Sequence, residues 1–254
     1  MTKIMAVTNQ KGGVGKTTTT VNLAASLAAA KKRVLLVDLD PQGNATMGSG
    51  INKGELVVTV YNVLLGECSV EQARIVSETG KFDILPANRE LAGAEIELVD
   101  IEGRELRLKN ELQSISAEYD YILIDCPPAL NLLTLNGLCA AQSVMIPMQC
   151  EYYALEGLSD LVNTIRKVRE NLNPELEIEG LLRTMFDPRN TLAQQVSDQL
   201  QQHFGEKVYR TVIPRNVRLA EAPSYGVPAL YHDALSKGTQ AYLALAGELL
   251  NNAS

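Results

Sequence analysis

The chain has 254 residues, of which 46% are hydrophobic and 21% are charged, and its formal net charge is −7. This length accommodates one large α/β domain with a full-sized core, and no linker or internal repeat divides the sequence, so we expect one domain over residues 1–254. The acidic balance argues against a protein whose whole surface coats polyanions, although it is compatible with a local basic patch.

The cysteines and the apolar runs indicate a cytosolic protein. The four cysteines form no C-x-x-C pair, so we expect reduced and mostly buried thiols, and the two histidines are not spaced with them as zinc ligands. The first three residues lead directly into the first predicted strand, so no signal peptide is expected. No apolar run approaches the roughly 20 residues that are needed to cross a bilayer.

Short apolar runs alternate with helical patterns along the chain. Strands are predicted at residues 4–7, 34–37, 82–86, 121–124, 144–147, 178–182 and 208–213, and helices at 19–30, 91–116, 155–171, 192–204 and 238–251. Short uninterrupted apolar runs are typical of strands buried on both faces. The pattern therefore predicts an α/β fold with a doubly wound, mostly parallel sheet and helices on both faces.

A glycine-rich loop lies between the first predicted strand and the first predicted helix. Residues 10–18 read QKGGVGKTT, and a strand, a glycine-rich loop and a helix in this order indicate the phosphate-binding loop of a P-loop NTPase. Glycines let backbone N–H groups turn towards phosphate oxygens, and the helix N-terminus adds further donors. Lys16 is expected to reach the β- and γ-phosphates of ATP, and Thr17 to offer its hydroxyl to Mg²⁺. The expected ATP contacts in this loop are Lys11, Gly12, Gly13, Val14, Gly15, Lys16, Thr17 and Thr18.

Two features of this loop depart from the strict consensus. Gln10 stands where the consensus has its first glycine, and Lys11 adds a second lysine at the start of the loop. By itself, Lys11 is compatible with an ordinary solvated loop lysine.

Carboxylates follow two of the other predicted strands. Asp38 and Asp40 come after the strand at 34–37, and Asp125 comes directly after the strand at 121–124. The carboxyl ends of parallel strands meet at one sheet edge, so these groups are expected near the phosphate loop, where Asp125 would lie beside Mg²⁺. A carboxylate near the γ-phosphate could polarise a water molecule. The alternatives are a polar turn at residues 38–44 and a helix-capping aspartate at 125.

The sequence KGGVGKT at residues 11–17 resembles the deviant Walker A box of the ParA/MinD family of ATPases. The resemblance extends from residue 3 to about the final helix and is closest to small chromosomal ParA proteins of the Soj type. It implies that Lys11 crosses a nucleotide-sandwich homodimer to the partner's ATP and that Asp40 orients the attacking water. It also implies that Asp38 lies close to Mg²⁺ and that Asp125 contacts the metal mostly through water.

Three later stretches extend the resemblance. Residues 212–223 match the segment that packs on adenine, with Pro214 and Asn216 as the expected base contacts. Residues 149–157 match a loop at the dimer face, although a simple helix N-terminal turn is the alternative. Residues 183–218 contain six positive and three negative side chains, a net charge of +3. Within that stretch, the resemblance assigns Arg189 and Arg218 to a face that binds double-stranded DNA nonspecifically; solvated surface charges are the alternative.

The function that the resemblance implies is ATP-dependent chromosome or plasmid partition. The ATP-bound dimer would bind the nucleoid in the cytoplasm, and a ParB-like partner of the Spo0J type would stimulate hydrolysis and release. The alternatives are a MinD-like membrane-associated division-site ATPase, a relative of the nitrogenase iron protein, and a protein that binds a replication initiator. Residues 241–254 contain no lysine or arginine, which argues against a basic membrane helix, so we expect no membrane partner.

Overall fold

The computed structural model describes residues 2–252. Seven strands form one sheet: β1 (Lys3–Val7), β2 (Val34–Asp38), β3 (Ile75–Ser77), β4 (Phe82–Leu85), β5 (Tyr121–Asp125), β6 (Ser143–Met148) and β7 (Glu177–Arg183). Their order across the sheet is β3-β4-β2-β5-β1-β6-β7. Every neighbouring pair is parallel except the edge pair of β3 and β4. The predicted doubly wound, mostly parallel sheet is confirmed.

Helices cover both faces of the sheet. They are α1 (Lys16–Ala29), α2 (Asn44–Gly48), α3 (Val60–Leu65), α4 (Val70–Ala73), α5 (Leu91–Glu97), α6 (Arg107–Ile115), α7 (Leu132–Ala140), α8 (Ala154–Asn171), α9 (Thr191–Phe204), α10 (Val217–Glu221), α11 (Ala229–His232) and α12 (Lys237–Asn252). The long predicted helices at 19–30, 155–171, 192–204 and 238–251 correspond to α1, α8, α9 and α12. Helices α1 and α12 pack together on one face, whereas α5 to α9 lie on the other.

The alternation of side chains along each strand divides the core in two. In β5, Ile122 and Ile124 belong to the cluster beneath α5 to α9, whereas Tyr121 and Leu123 belong to the cluster beneath α1 and α12. Successive side chains of a strand point to opposite faces. Both faces are therefore apolar, and the strand reads as one continuous apolar run in the sequence.

Residues 208–213, predicted as a strand, do not form one. The segment does not pair continuously with β7. The two are joined by an isolated bridge between Leu181 and Val208. The backbone N–H groups of Arg210 and Thr211 instead donate to the carboxylate of Glu248 on α12, at 2.7 and 2.9 Å. A side chain from a distant helix thus takes donors that a continuous ladder would need.

The prediction of one continuous helix at 91–116 is also wrong. The segment is divided into α5 and α6, with Gly103 between them at φ +70°. Glycine adopts this left-handed conformation without the steric penalty that a Cβ imposes on other residues. A short 3-10 turn follows Gly103 and leads into α6. The sequence pattern also missed the three-residue antiparallel edge strand β3.

Helix α7 packs closely against the end of β5, and this predicts a stability effect. A Cβ at Gly137 would lie 2.8 Å from Cys126 Sγ and 3.2 Å from Leu39 Cδ1. We expect Gly137→Ala to lower the free energy of unfolding by about 1–3 kcal/mol, because the added methyl group overpacks the core. Urea unfolding measures the change. The matched control is Gly157→Ala on α8, where nothing lies within 4 Å and the helix gains propensity. Equal shifts in both variants would contradict the close packing.

Candidate active site

The carboxyl ends of the central strands form the candidate site. Asp125, the last residue of β5, is paired in register with Asp38 of β2 on one side and with Val7 of β1 on the other. The loop that follows β1 leads directly into α1. The sheet therefore brings the predicted phosphate loop and two of the three predicted carboxylates to one edge, as the sequence indicated.

The phosphate loop presents a helix N-terminus with free donors. Gly13 and Gly15 have φ values of +75° and +87°, a region that residues with a Cβ rarely adopt. Among the described residues, no side chain caps α1, and its first turn contains no acidic residue. The orphan N–H groups and the positive end of the helix dipole are therefore available to an anion such as phosphate.

Lys16 lies at the start of α1 with its side chain turned into the loop. The residue is only 7% exposed, and its Nζ donates to the carbonyl oxygen of Lys11 at 3.1 Å. Burial lowers the pKa of Lys16, while the carboxylates of Asp125 and Asp40 act in the opposite direction. A buried ammonium group that bonds a neutral carbonyl keeps its charge for an anionic ligand.

Asp125 and Asp38 are both fully buried. Asp125 accepts hydrogen bonds from Thr17 Oγ1 at 2.7 Å and Thr20 Oγ1 at 3.2 Å. Asp38 accepts from the Thr46 hydroxyl at 2.8 Å and from the Thr46 backbone N–H at 2.9 Å. Burial raises the pKa of both carboxyl groups, and the neighbouring charge of Asp38 raises that of Asp125 further.

The donor set fits a magnesium ion that is held mainly by phosphate and water. Thr17, Asp38 and Asp125 supply hard oxygen atoms, which are the ligands that Mg²⁺ prefers. Within residues 2–252, no cluster of three or more acidic, histidine or cysteine residues could hold a metal ion by itself. Mg²⁺ commonly uses one or two carboxylates together with substrate phosphates, so this sparse set is sufficient.

Asp40 lies in the turn after β2 and is partly exposed. Its Oδ1 accepts a hydrogen bond from the backbone N–H of Gln42 at 2.9 Å, and its backbone N–H donates to Asp38 Oδ1 at 3.1 Å. These bonds fix the turn relative to the buried carboxylates. The role of Asp40 in orienting water stays a prediction.

Lys11 has a different environment from Lys16. Its ammonium group forms an ion pair with the carboxylate of Glu151, in the loop after β6, and each side chain is about half exposed. Glu151 precedes Tyr152 and Tyr153, which are 74% and 71% exposed. Residue 151 falls in the predicted dimer-face loop, but no local pattern pairs it with Lys11, because the two residues are 140 positions apart.

A cavity of about 170 Å³ opens beside the phosphate loop. Gly15, Thr18, Pro214 and Asn216 all line it, so the structure brings the two predicted adenine contacts to the loop. Asn216 accepts the N–H of Leu219 at 3.3 Å and thereby caps α10, a bond that uses its side-chain oxygen. Its amide NH₂ group is therefore the part suited to a base.

Sequence reasoning missed Thr184, which follows β7. Its hydroxyl donates to the carbonyl oxygen of Val14 at 2.7 Å and so ties the phosphate loop to the far side of the sheet. A lone threonine after a strand carries no local signal for this contact.

Arg189 and Arg218 are both at the surface, and both are paired with carboxylates. Arg189 bonds Asp187 in the loop before α9, and Arg218 on α10 pairs with Glu221 and Asp233. Their predicted contact with DNA stays a prediction. No helix in residues 2–252 is both long and apolar enough to span a bilayer.

The buried carboxyl groups predict how stability depends on pH without ligand. Above about pH 4, the unfolded chain releases protons that folded Asp38 and Asp125 still hold, since ordinary aspartate pKa values are near 3.9. The folded state then binds more protons, so these two groups make the free energy of unfolding fall as pH rises towards their raised pKa values.

Asp125→Asn, which cannot ionise, should therefore lose less stability than the parent chain between pH 5 and 8. Urea unfolding at several pH values, without nucleotide or magnesium, provides the measurement. Asp160→Asn, an exposed position on α8, is the matched control. Identical pH slopes for the parent and Asp125→Asn would contradict the assigned pKa shift.

Comparisons with known proteins agree with this geometry. The sequence profile of a family described as an AAA domain matches residues 2–178. The sporulation initiation inhibitor protein Soj of Bacillus subtilis is 56% identical over 252 residues, which cover 99% of this chain and 100% of that protein. An uncharacterized protein of Pseudomonas putida is 64% identical over 250 residues, 98% of this chain and 95% of that protein.

A solved structure extends the likeness to three dimensions. It is that of cobyrinic acid a,c-diamide synthase from Mycobacterium smegmatis with bound ADP and magnesium, with a TM-score of 0.87. It is 40% identical, and the match covers 99% of this chain and 95% of that chain. On its full-length similarity and its phosphate loop, the chain belongs to the ParA/MinD family of deviant Walker A P-loop ATPases and is of the Soj type.

Proposed function

We propose that the protein is a partitioning switch whose ATP-bound dimer binds double-stranded DNA and releases it after hydrolysis. The observation that carries the proposal is the contrast in burial and bonding partner between two lysines of one loop. Lys16 is buried and donates to a carbonyl oxygen within the loop, whereas Lys11 is half exposed and pairs with Glu151. In this proposal, Lys16 would bind the chain's own nucleotide, and Lys11 would exchange its ion pair with Glu151 for a contact with a second subunit.

ATP and Mg²⁺ are the expected substrate and cofactor. The loop N–H groups and Lys16 would bind the β- and γ-phosphates, and Pro214 and Asn216 would contact the base. Thr17, Asp38 and Asp125 would hold Mg²⁺, which when bound neutralises developing phosphate charge. Asp40 would orient the attacking water from the turn that its own hydrogen bonds fix.

The exposed edge around Lys11 suits a second copy of the chain. Tyr152 and Tyr153 are largely exposed beside the Lys11–Glu151 pair, and Leu130 is 47% exposed. Aromatic residues are enriched where proteins associate. A face-to-face dimer would bury these side chains and bring each Lys11 to the other subunit's ATP.

Arg189 and Arg218 would form the DNA-binding face, so the dimer would associate with the nucleoid. A ParB-like protein of the Spo0J type is the expected stimulating partner, and a replication initiator is a compatible second partner. The likeness to Soj supports this function over that of MinD. The C-terminal helix supports it too, because Tyr242, Leu245 and Leu249 of α12 are buried.

Variants at the site should separate nucleotide binding, dimerisation and hydrolysis. Asp40→Ala should bind ATP and accumulate as a dimer, because only the water-orienting carboxylate is lost. Lys11→Ala should bind ATP but stay monomeric, because the group that crosses the interface is removed. Lys16→Gln should lose ATP binding, because the cation at the phosphates is lost.

Light scattering after size exclusion, with ATP and Mg²⁺, measures the oligomeric state, and labelled ATP measures binding. A stable ATP dimer of Lys11→Ala would contradict the sandwich arrangement. Unchanged ATP affinity of Lys16→Gln would contradict the phosphate-loop assignment.

The DNA-binding arginines predict a salt-dependent loss of affinity. In the Asp40→Ala dimer, Arg189→Ala or Arg218→Ala should weaken binding similarly on two unrelated duplexes, because phosphates carry no sequence information. The salt slope should flatten by about 0.9 for each phosphate group that the variant no longer neutralises. Fluorescence anisotropy at several salt concentrations measures both effects. Arg169→Ala on α8 is the matched control for the loss of one positive charge, and an equal loss there would place the DNA face elsewhere.

A further inference from the structure

Arg189 is bound by a carboxylate of its own chain. Its Nε donates to Asp187 Oδ1 at 3.0 Å and its Nη2 donates to Asp187 Oδ2 at 2.8 Å. This is the bidentate geometry in which guanidinium groups also bind phosphate. The arginine side chain is 89% exposed, so the pair lies at the surface, where DNA would meet it. The carboxylate therefore occupies the donors that a phosphate group would use.

Arg218 is bound by two carboxylates. Its Nη1 donates to Glu221 Oε2 at 2.8 Å, and its Nε lies 3.2 Å from Asp233 Oδ2. Nε2 of His232 approaches the same Glu221 oxygen at 3.6 Å. The cluster thus contains one guanidinium group, from Arg218, and two carboxylates, from Glu221 and Asp233. With a neutral histidine, the local charge of this cluster is therefore negative.

These acids change the charge balance of the basic stretch. The net charge of +3 over residues 183–218 falls to +1 over residues 183–233, since Glu221 and Asp233 are added and no lysine or arginine is. Hydrogen bonds from Arg189 lower the pKa of Asp187 to about 2, and those from Arg218 lower the pKa of Glu221. Both carboxylates thus stay ionised at neutral pH.

Not every positive side chain in residues 183–218 forms an ion pair with a carboxylate. Among the residues that the structure describes, Lys207, Arg210 and Arg215 form no side-chain ion pair. The carboxylates lie instead at the two arginines that the proposed function assigns to DNA.

We propose that Asp187, Glu221 and Asp233 compete with DNA phosphate for Arg189 and Arg218, and so limit the affinity of the ATP-bound dimer for DNA. This inference rests on the proposed function. Exposed ion pairs are weak in water, so a phosphate group can displace the carboxylate. The displaced carboxylate stays beside the phosphate and repels it, which favours dissociation. Since affinity differences between related complexes lie mostly in the dissociation rate, the effect is a faster release of DNA.

The main test uses Asp187→Asn in the ATP-bound Asp40→Ala dimer. Asparagine keeps the shape of the side chain but loses the charge. We expect roughly threefold to tenfold tighter binding to duplex DNA in fluorescence anisotropy, because each of the two subunits loses one weak competing ion pair. We also expect slower dissociation when excess unlabelled duplex is added. Glu221→Gln tests the second cluster in the same way.

Two control variants separate competition from a general charge effect. Asp198→Asn removes the same charge from an exposed position on α9, within the basic stretch but outside the ion pairs formed by the described residues. It should leave DNA affinity unchanged. Combining Asp187→Asn with Arg189→Ala should abolish the gain, so that the double variant binds DNA as Arg189→Ala does.

The outcomes distinguish this inference from the proposed function. Weaker binding of Asp187→Asn and Glu221→Gln would overturn the inference, because it would mean that the carboxylates position the arginines for DNA. An equal gain in Asp198→Asn would overturn it in favour of net charge. In both cases the DNA-binding function stands. A parent Asp40→Ala dimer that binds no DNA would overturn the proposed function together with the inference.

Discussion

The burial of two neighbouring carboxylates at the end of the central strands is the constraint on which the site depends. The register of β2 and β5 sets Asp38 directly beside Asp125, and both are shielded from solvent. Hydrogen bonds from Thr17 and Thr46 offset only part of the desolvation cost, since burial still raises both pKa values. The folded chain thus holds two buried carboxyl groups whose ionisation a bound cation would favour, and α1 presents donors for an anion beside them.

The fold supplies the rigidity that this arrangement needs. Apolar side chains fill both faces of the strands, so the strand ends cannot shift independently. Thr184 ties the loop to the end of β7, and Gly137 lets α7 lie against the end of β5. The first contact holds the backbone of the loop, and the second lets α7 pack on the side chains of Cys126 and Leu39 beside the carboxylates.

The sequence predicted those parts of the structure that local chemistry determines. Apolar runs identified six of the seven strands because β1, β2, β4, β5, β6 and β7 each contain buried apolar residues. The glycine pattern identified the loop, because left-handed φ values at Gly13 and Gly15 need that residue type. Two failures came from distant partners: Glu248 accepts the backbone donors of residues 210 and 211, and Glu151 pairs with Lys11 across 140 positions. No local pattern contains such contacts.

The positive side chains assigned to ligands differ in burial and in bonding partner. Lys16 is buried and donates to a neutral carbonyl oxygen, and the proposed function assigns it to a ligand of its own subunit. Lys11, Arg189 and Arg218 are each exposed and held by a carboxylate. An exposed ion pair costs little to exchange, because water and salt already screen it. The ion pairs therefore hold the side chains of Lys11, Arg189 and Arg218 in position while leaving them exchangeable. Each of these groups could replace its carboxylate by a phosphate oxygen of another molecule at a small net cost in free energy.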